Sequence, residues 1–231
     1  MKKIIDVTGK ICNGMWSFGD LFPHFHIEEH SGVCPGFGDY FYTEFCGMHA
    51  QVGTYIETPA HWFGFENSYL VKDIPLENLY EHDCVVLKPV VDVSDPARKS
   101  PITKEALEKA AEGVEINPED VIVVATGWEK YWMDDEHFFD KSPYFTDDAM
   151  HWIIDKKPYM LGTDTPAWDN YENPAGYMGD FYDGNILMLV PLANMDKVTQ
   201  KIDCMLSLIL HALIRLLISV ISRRKLLQKK A

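Results

Sequence analysis

At 231 residues, with 47% hydrophobic and 13% aromatic side chains, the chain can bury a sizeable core, which excludes disorder and favours one domain. Its formal net charge is −14, and residues 1–200 alone carry 14 basic against 34 acidic groups, a net −20. Such a body repels phosphate backbones, which argues against nucleic-acid binding. The five cysteines (Cys12, Cys34, Cys46, Cys84, Cys204) are odd in number and form no CxxC pair, and the Met-Lys-Lys start lacks an apolar core of signal-peptide length. A reduced, cytoplasmic protein is the simpler reading.

Lys3 to Thr8 reads as a first strand, with Gly9, Asn13 and Gly14 marking turns. Residues 19–38 are rich in Gly, Pro and His and read as irregular. Within them His24 and His26 stand two apart with His30 beyond, and His-x-His is a metal-ligand spacing. Asp39 to Met48 alternates aromatic and other residues and reads as a strand that bends near Gly47.

The most loaded stretch follows, Gln51-Val-Gly-Thr-Tyr-Ile-Glu-Thr-Pro-Ala-His61. If it is extended, Gln51, Tyr55, Glu57 and His61 share one face and Val52 and Ile56 the other, until Pro59 ends the strand. One face then carries an amide, a phenol, a carboxylate and an imidazole, enough for acid–base chemistry or metal ligation. The alternative is the solvated face of an ordinary sheet. Trp62, Phe63, Phe65 and Tyr69 continue as an aromatic stretch, and Trp16, Trp62 and Phe63 are compatible with an aryl ligand.

Beyond it, Asp83 to Val93 reads as a buried strand interrupted by proline, and Ile102 to Glu112 as an amphipathic helix capped by Thr103. Asp120 to Ala125 is a buried strand, and 128–144 an acidic, aromatic surface excursion. Thr146 to Lys157 reads as a helix with Asp147 and Asp148 in its first turn and Lys156 and Lys157 at its end. Tyr159 to Thr163 and Asn185 to Leu192 are further strands. Asp164, at a strand's end, suits either a polar role in a site or the capping of a turn. The alternation predicts an α/β fold around a mixed sheet, without repeats or linkers.

From residue 201 the composition turns apolar and basic, with Cys204 to Ser222 ahead of Arg223-Arg224-Lys225. We read residues 1–200 as the domain and 201–231 as an atypical tail: a membrane-associating helix or the product of a frameshift.

The spacing of Gly53, Thr54, Pro59 and His61, with Thr126-Gly-Trp128, Gly162 to Asp169 and Asn194-Met-Asp196, resembles the cyclase family of metal-dependent hydrolases, which includes kynurenine formamidases and isatin hydrolases. The family signature is His-x-Gly-Thr-His-x-Asp-x-Pro-x-His; here Gln51, Tyr55 and Glu57 replace the first His, the second His and the Asp. The resemblance implies a curved, partly closed mixed sheet with outer helices, and a homodimer or larger assembly. It implies hydrolysis of an amide, formamide or lactam bond in a small molecule, and a substrate-bordering Trp16. Trp62 and Asp164 are further candidate substrate contacts. It also implies bound divalent metal. Of the family's ligand positions only Glu57 and His61 keep ligand chemistry; Gln51 offers a neutral carbonyl oxygen, and Tyr55 would bind only as a phenolate. The family's later His falls within Tyr177 to Tyr182, where there is none, and its Glu at Pro191. The expectation is therefore at most one ion, Mn or Zn, on Glu57 and His61 with Gln51 or a histidine of the 24–30 loop, with Mn favoured by oxygen ligands. Glu57, His61 and Tyr55 are the catalytic candidates, and a metal-free or purely binding protein is the alternative.

Overall fold

A computed structural model describes residues 4–199 and 204–206. The fold is built on a six-stranded mixed sheet. Its four central strands are β4 (His82–Leu87), β6 (Val121–Val124), β8 (Met160–Thr163) and β9 (Leu187–Val190), all parallel. Two antiparallel edge strands close it: β3 (Tyr55–Glu57) beside β9 and β10 (Cys204–Leu206) beside β4. Two smaller sheets flank it: the antiparallel hairpin of β1 (His26–Cys34) and β2 (Gly38–Cys46), and the parallel pair of β5 (Pro101–Ile102) and β7 (Tyr144–Phe145).

The central strands read as continuous apolar runs because both faces are covered. Val85, Leu87, Ile122, Val124, Leu161, Met188 and Val190 point to one side. There they meet α2 (Lys104–Ala110), α3 (Asp147–Ile154) and α4 (Met178–Asp183), through Leu107, Met150, Ile153 and Phe181. Val86, Val121, Val123, Met160, Leu187 and Leu189 point to the other side, against Ile74, Leu79, Leu192 and Met195. Each fully buried Leu or Ile contributes about 1.5–3 kcal/mol, so these two layers carry most of the fold's cohesion.

The sheet, its mixed character and its helices agree with the expected α/β class, and β10 stands at an edge, so closure into a barrel does not follow. Several local expectations need correction. Residues 4–8 form no regular strand; Ala193 N donates to Val7 O and Asn194 Nδ2 to Asp6 O, so this segment is held as a strap. His26 to Cys34 is a strand of a hairpin rather than irregular loop, because a cross-strand partner supplies what its mixed composition does not show. The 128–144 excursion is partly at the surface, with Lys130, Met133, Asp135, Glu136 and Asp140 exposed, but Trp128 and Phe138 turn inward and are fully buried with Trp132 and Trp16 in a third cluster. Beyond 204–206 the tail lies outside the described residues, and no described helix is long and apolar enough to cross a membrane.

Candidate functional site

β3 is only three residues long, and the chain turns on either side of it. Gly53 takes a φ of +75°, a left-handed turn that L side chains rarely adopt. Pro59 sits at φ −53°, ψ −17° and starts α1 (Ala60–Phe63). Strand alternation therefore aligns Tyr55 with Glu57 only. Gln51 comes in from a turn and His61 from a helix one turn past Glu57, so the single extended face expected from the sequence is replaced by three local structures that converge.

They converge on one carboxylate. Glu57 is 8% exposed. Its Oε1 accepts from Gln51 Nε2 at 3.3 Å and lies 3.3 Å from His61 Nδ1. Its Oε2 accepts from Tyr182 Oη at 3.1 Å. Tyr182, from α4, is a site residue the sequence reading did not assign. The signal was there, since it falls in the stretch where the resembled family places a histidine, but a phenol is no metal ligand at neutral pH. Burial, then the Glu57 charge, pushes the Tyr55 phenol well above its ordinary value. Burial and Glu57 raise that of Tyr182 as well. Both stand as neutral hydrogen-bond donors beside the carboxylate.

Around this centre the walls are aromatic. His49 Nδ1 lies 3.4 Å from Gln51 Oε1 and stacks on Phe22 at 4.8 Å. Phe18 stands 6.5 Å from Tyr55 and 4.8 Å from Phe139. Trp16 is buried against Phe18, Trp132 and Phe138, so it is at once core and lining. Its indole N–H finds no hydrogen-bond partner among the described residues. The cavity bounded by Trp16, Phe18, Phe25, His49 and Gln51 has about 10 Å³, room for roughly one water. His61 is half exposed, so the centre opens to solvent on its side.

The other two expected substrate contacts, Trp62 and Asp164, lie in different settings. Trp62 is exposed on α1 beside Gly179 of α4, where a Cβ would lie 3.6 Å from its Nε1. Asp164 is fully buried and accepts from Thr126 N, Thr126 Oγ1, Gly127 N and Trp128 N at 2.7–3.0 Å. Burial raises its carboxyl above the usual range, and these donors pull against that. Asp164 acts on the turn after β6.

The donor set decides how many ions could be held. Two do not fit: Pro191 has no donor side chain, Tyr182 is a neutral phenol, and among the described residues no trio of His, Cys, Asp or Glu includes Glu57. One fits. The 3.3 Å from Glu57 Oε1 to His61 Nδ1 is the length of an edge of a tetrahedral shell with bonds of about 2.0–2.1 Å, and Gln51 Nε2 donates to the same Oε1. Gln51 contributes its carbonyl oxygen once its amide turns over.

Residues 5–170 match the profile of the family described as "Putative cyclase". Among solved structures, an isatin hydrolase bound to the product analogue thioisatinate superposes with a TM-score of 0.65 at 21% identity, over 84% of this chain and 80% of that one. Isatin hydrolase A from Labrenzia aggregata, bound to benzyl benzoate, gives 0.68 at 18% identity over 91% and 88%. A potential metal-dependent hydrolase with cyclase activity gives 0.57 at 19% identity, over 84% of both chains. No curated protein matches significantly.

Proposed function

This chain belongs to the cyclase family, and on that premise we propose that it is a hydrolase that cleaves a C–N bond, amide, formamide or lactam, in a small molecule with the help of one divalent ion. The observation that carries this reading is the buried Glu57 carboxylate, to which Gln51, His61 and Tyr182 all converge. The structural neighbours, an isatin hydrolase and a potential metal-dependent hydrolase with cyclase activity, support a hydrolase.

Gln51, Glu57 and His61 would hold the ion, and when bound it would supply a hydroxide near neutral pH and polarise the substrate carbonyl. The protein's own groups divide the remaining tasks. Tyr182 fixes Glu57 by its Oε2, which leaves Oε1 facing Gln51 and His61. Tyr55, a neutral phenol beside Glu57, is a hydrogen-bond donor for the oxygen on which charge develops. His61 is half open to solvent; its role beside the ion is that of a ligand, and in the metal-free arrangement below it is the group suited to carry a proton to the leaving nitrogen. Phe18, Phe22 and Phe139 exclude water from one side and offer apolar surface to an aryl group.

A metal-free reading is favoured by one observation: both Glu57 oxygens are already engaged by the protein's own groups, so carboxylate and imidazole can act as an acid–base pair. Hydrolysis of a panel of aryl formamides and lactams, with and without chelator, separates the two. Under the leading reading turnover is lost in chelator and in Glu57→Gln, and returns in the wild type with Mn²⁺. Turnover that survives chelator but not Glu57→Gln selects the metal-free pair, and turnover that survives both contradicts either reading.

A further inference from the structure

We propose a second cation site, on the β1–β2 hairpin, in which Glu28, His30 and Glu44 bind one divalent ion of the Zn²⁺ class. It is independent of Glu57 and of the reaction assigned above.

The register makes it. His26, Glu28 and His30 alternate onto one face of β1, opposite Cys46, Glu44 and Tyr42 of β2. Glu28 and Glu44 are direct cross-strand partners, a like-charge pair that destabilises a ladder unless positive charge sits between them. The group between them is His30, whose Nε2 lies 3.4 Å from Glu28 Oε2 and 3.2 Å from Glu44 Oε2. That nitrogen is buried yet makes no hydrogen bond among the described residues, because neither carboxylate lies where its N–H or lone pair points. The three ligand atoms lie within 4.8 Å of one another. Spacings of 3.2 and 3.4 Å are close to the edges, about 3.3–3.4 Å, of a tetrahedral shell with bonds of about 2.0–2.1 Å.

The surroundings are arranged as a metal's are. His26 Nε2 lies 2.9 Å from Glu28 Oε1, so the proposed ligand is itself hydrogen-bonded on its outer oxygen. The His30 ring stacks on Tyr42 at 4.8 Å, which fixes its plane, and Tyr42 stacks on Tyr40 in turn. Tyr40 lies over Gly32, where a Cβ would come within 2.6 Å of its ring. The imidazole is thus oriented before any ion arrives. One imidazole and two carboxylates, with a solvent position left open, suit Zn²⁺ or Mn²⁺ better than Ca²⁺. The bound ion would clip the two strands of an otherwise exposed hairpin.

The test is isothermal titration of chelator-treated full-length protein with ZnCl₂. Glu57→Gln should retain the hairpin equivalent, whereas the pair His30→Asn with Glu44→Gln should lose one equivalent relative to wild type, and each single change should weaken it at least tenfold. These residues are surface-exposed or nearly so, and far-UV circular dichroism verifies that the variants fold. Amide exchange across 26–46 should slow when Zn²⁺ is added to wild type and not to the double variant. Unchanged stoichiometry and affinity in the double variant would overturn the proposal. So would loss of the equivalent in Cys46→Ser alone, which would seat the ion on His26, Glu28 and Cys46 instead.

Discussion

Glu57 and Asp164 are both buried carboxylates, and their partners give them different tasks. Asp164 faces three backbone N–H groups and one hydroxyl, all of the Thr126-Gly-Trp128 turn. Asp164→Ala orphans the buried Thr126 N–H and removes acceptors from Thr126 Oγ1, Gly127 N and Trp128 N, the last of which keeps Thr126 Oγ1. At about 1–3 kcal/mol per buried unsatisfied group we expect a loss of roughly 1–3 kcal/mol, read by urea unfolding. Glu57 instead faces side chains that can move. Tyr182→Phe removes one charge-assisted hydrogen bond, worth about 1.5–3 kcal/mol; kcat/KM should fall roughly tenfold to a hundredfold while the fold persists. A Tyr182→Phe enzyme with unchanged kcat/KM would remove Tyr182 from the site. The sequence pointed to Glu57, His61, Gln51 and Tyr55 because they crowd one short stretch. Tyr182 was not legible as a partner, because 125 residues separate it from Glu57 and only the sheet joins them.

At the scale of elements, patterns that depend on local chemistry were readable, and those that depend on a distant partner were not. Thr103 caps α2 by accepting from Ala106 N at 3.2 Å, as a threonine before a helix should. The apolar runs at β4, β6, β8 and β9 mark strands buried on both faces, and each is shorter than its apolar run because the ends leave the ladder. The hairpin and the inward turn of Trp128 and Phe138 depend on cross-strand and tertiary partners. α3 carries a pH dependence: His151 donates from Nδ1 to Asp147 O at 2.9 Å and, when protonated, from Nε2 to Asp180 Oδ2 of α4 at 3.1 Å. The bond to the Asp147 carbonyl, then that to Asp180, raises its pKa above 6.5. A raised folded pKa means that its stabilisation is complete below about pH 6.5, the unfolded value, and is lost as pH rises through the folded value. Solvent screens the pair, so the effect is modest. The melting temperature should fall slightly on going from pH 6 to 8, and His151→Gln should flatten that slope; an equal slope in the variant would refute the assignment.

Over the whole molecule, the residues retained from the family frame turn out to hold the scaffold. Gly53 makes the turn before β3, and Thr54 Oγ1 donates to Pro191 O while accepting from Gly9 N. Asp164 binds the Thr126 turn, and Glu129, just beyond it, accepts from Met195 N and Asp196 N. The substituted positions include Glu57 itself and, around it, Gln51 and Tyr55, with the retained His61 beside them. A frame kept with altered ligands explains why the fold was legible from spacing while the chemistry was not.

The central claim is that Glu57 anchors one ion. Its direct test is the metal content, by elemental mass spectrometry, of full-length protein carrying His30→Asn and Glu44→Gln, so that the hairpin does not contribute. After dialysis against Mn²⁺ or Zn²⁺ the account predicts about one ion per chain, lost when Glu57→Ala is added. No bound ion before that change, or one that persists after it, would contradict the account.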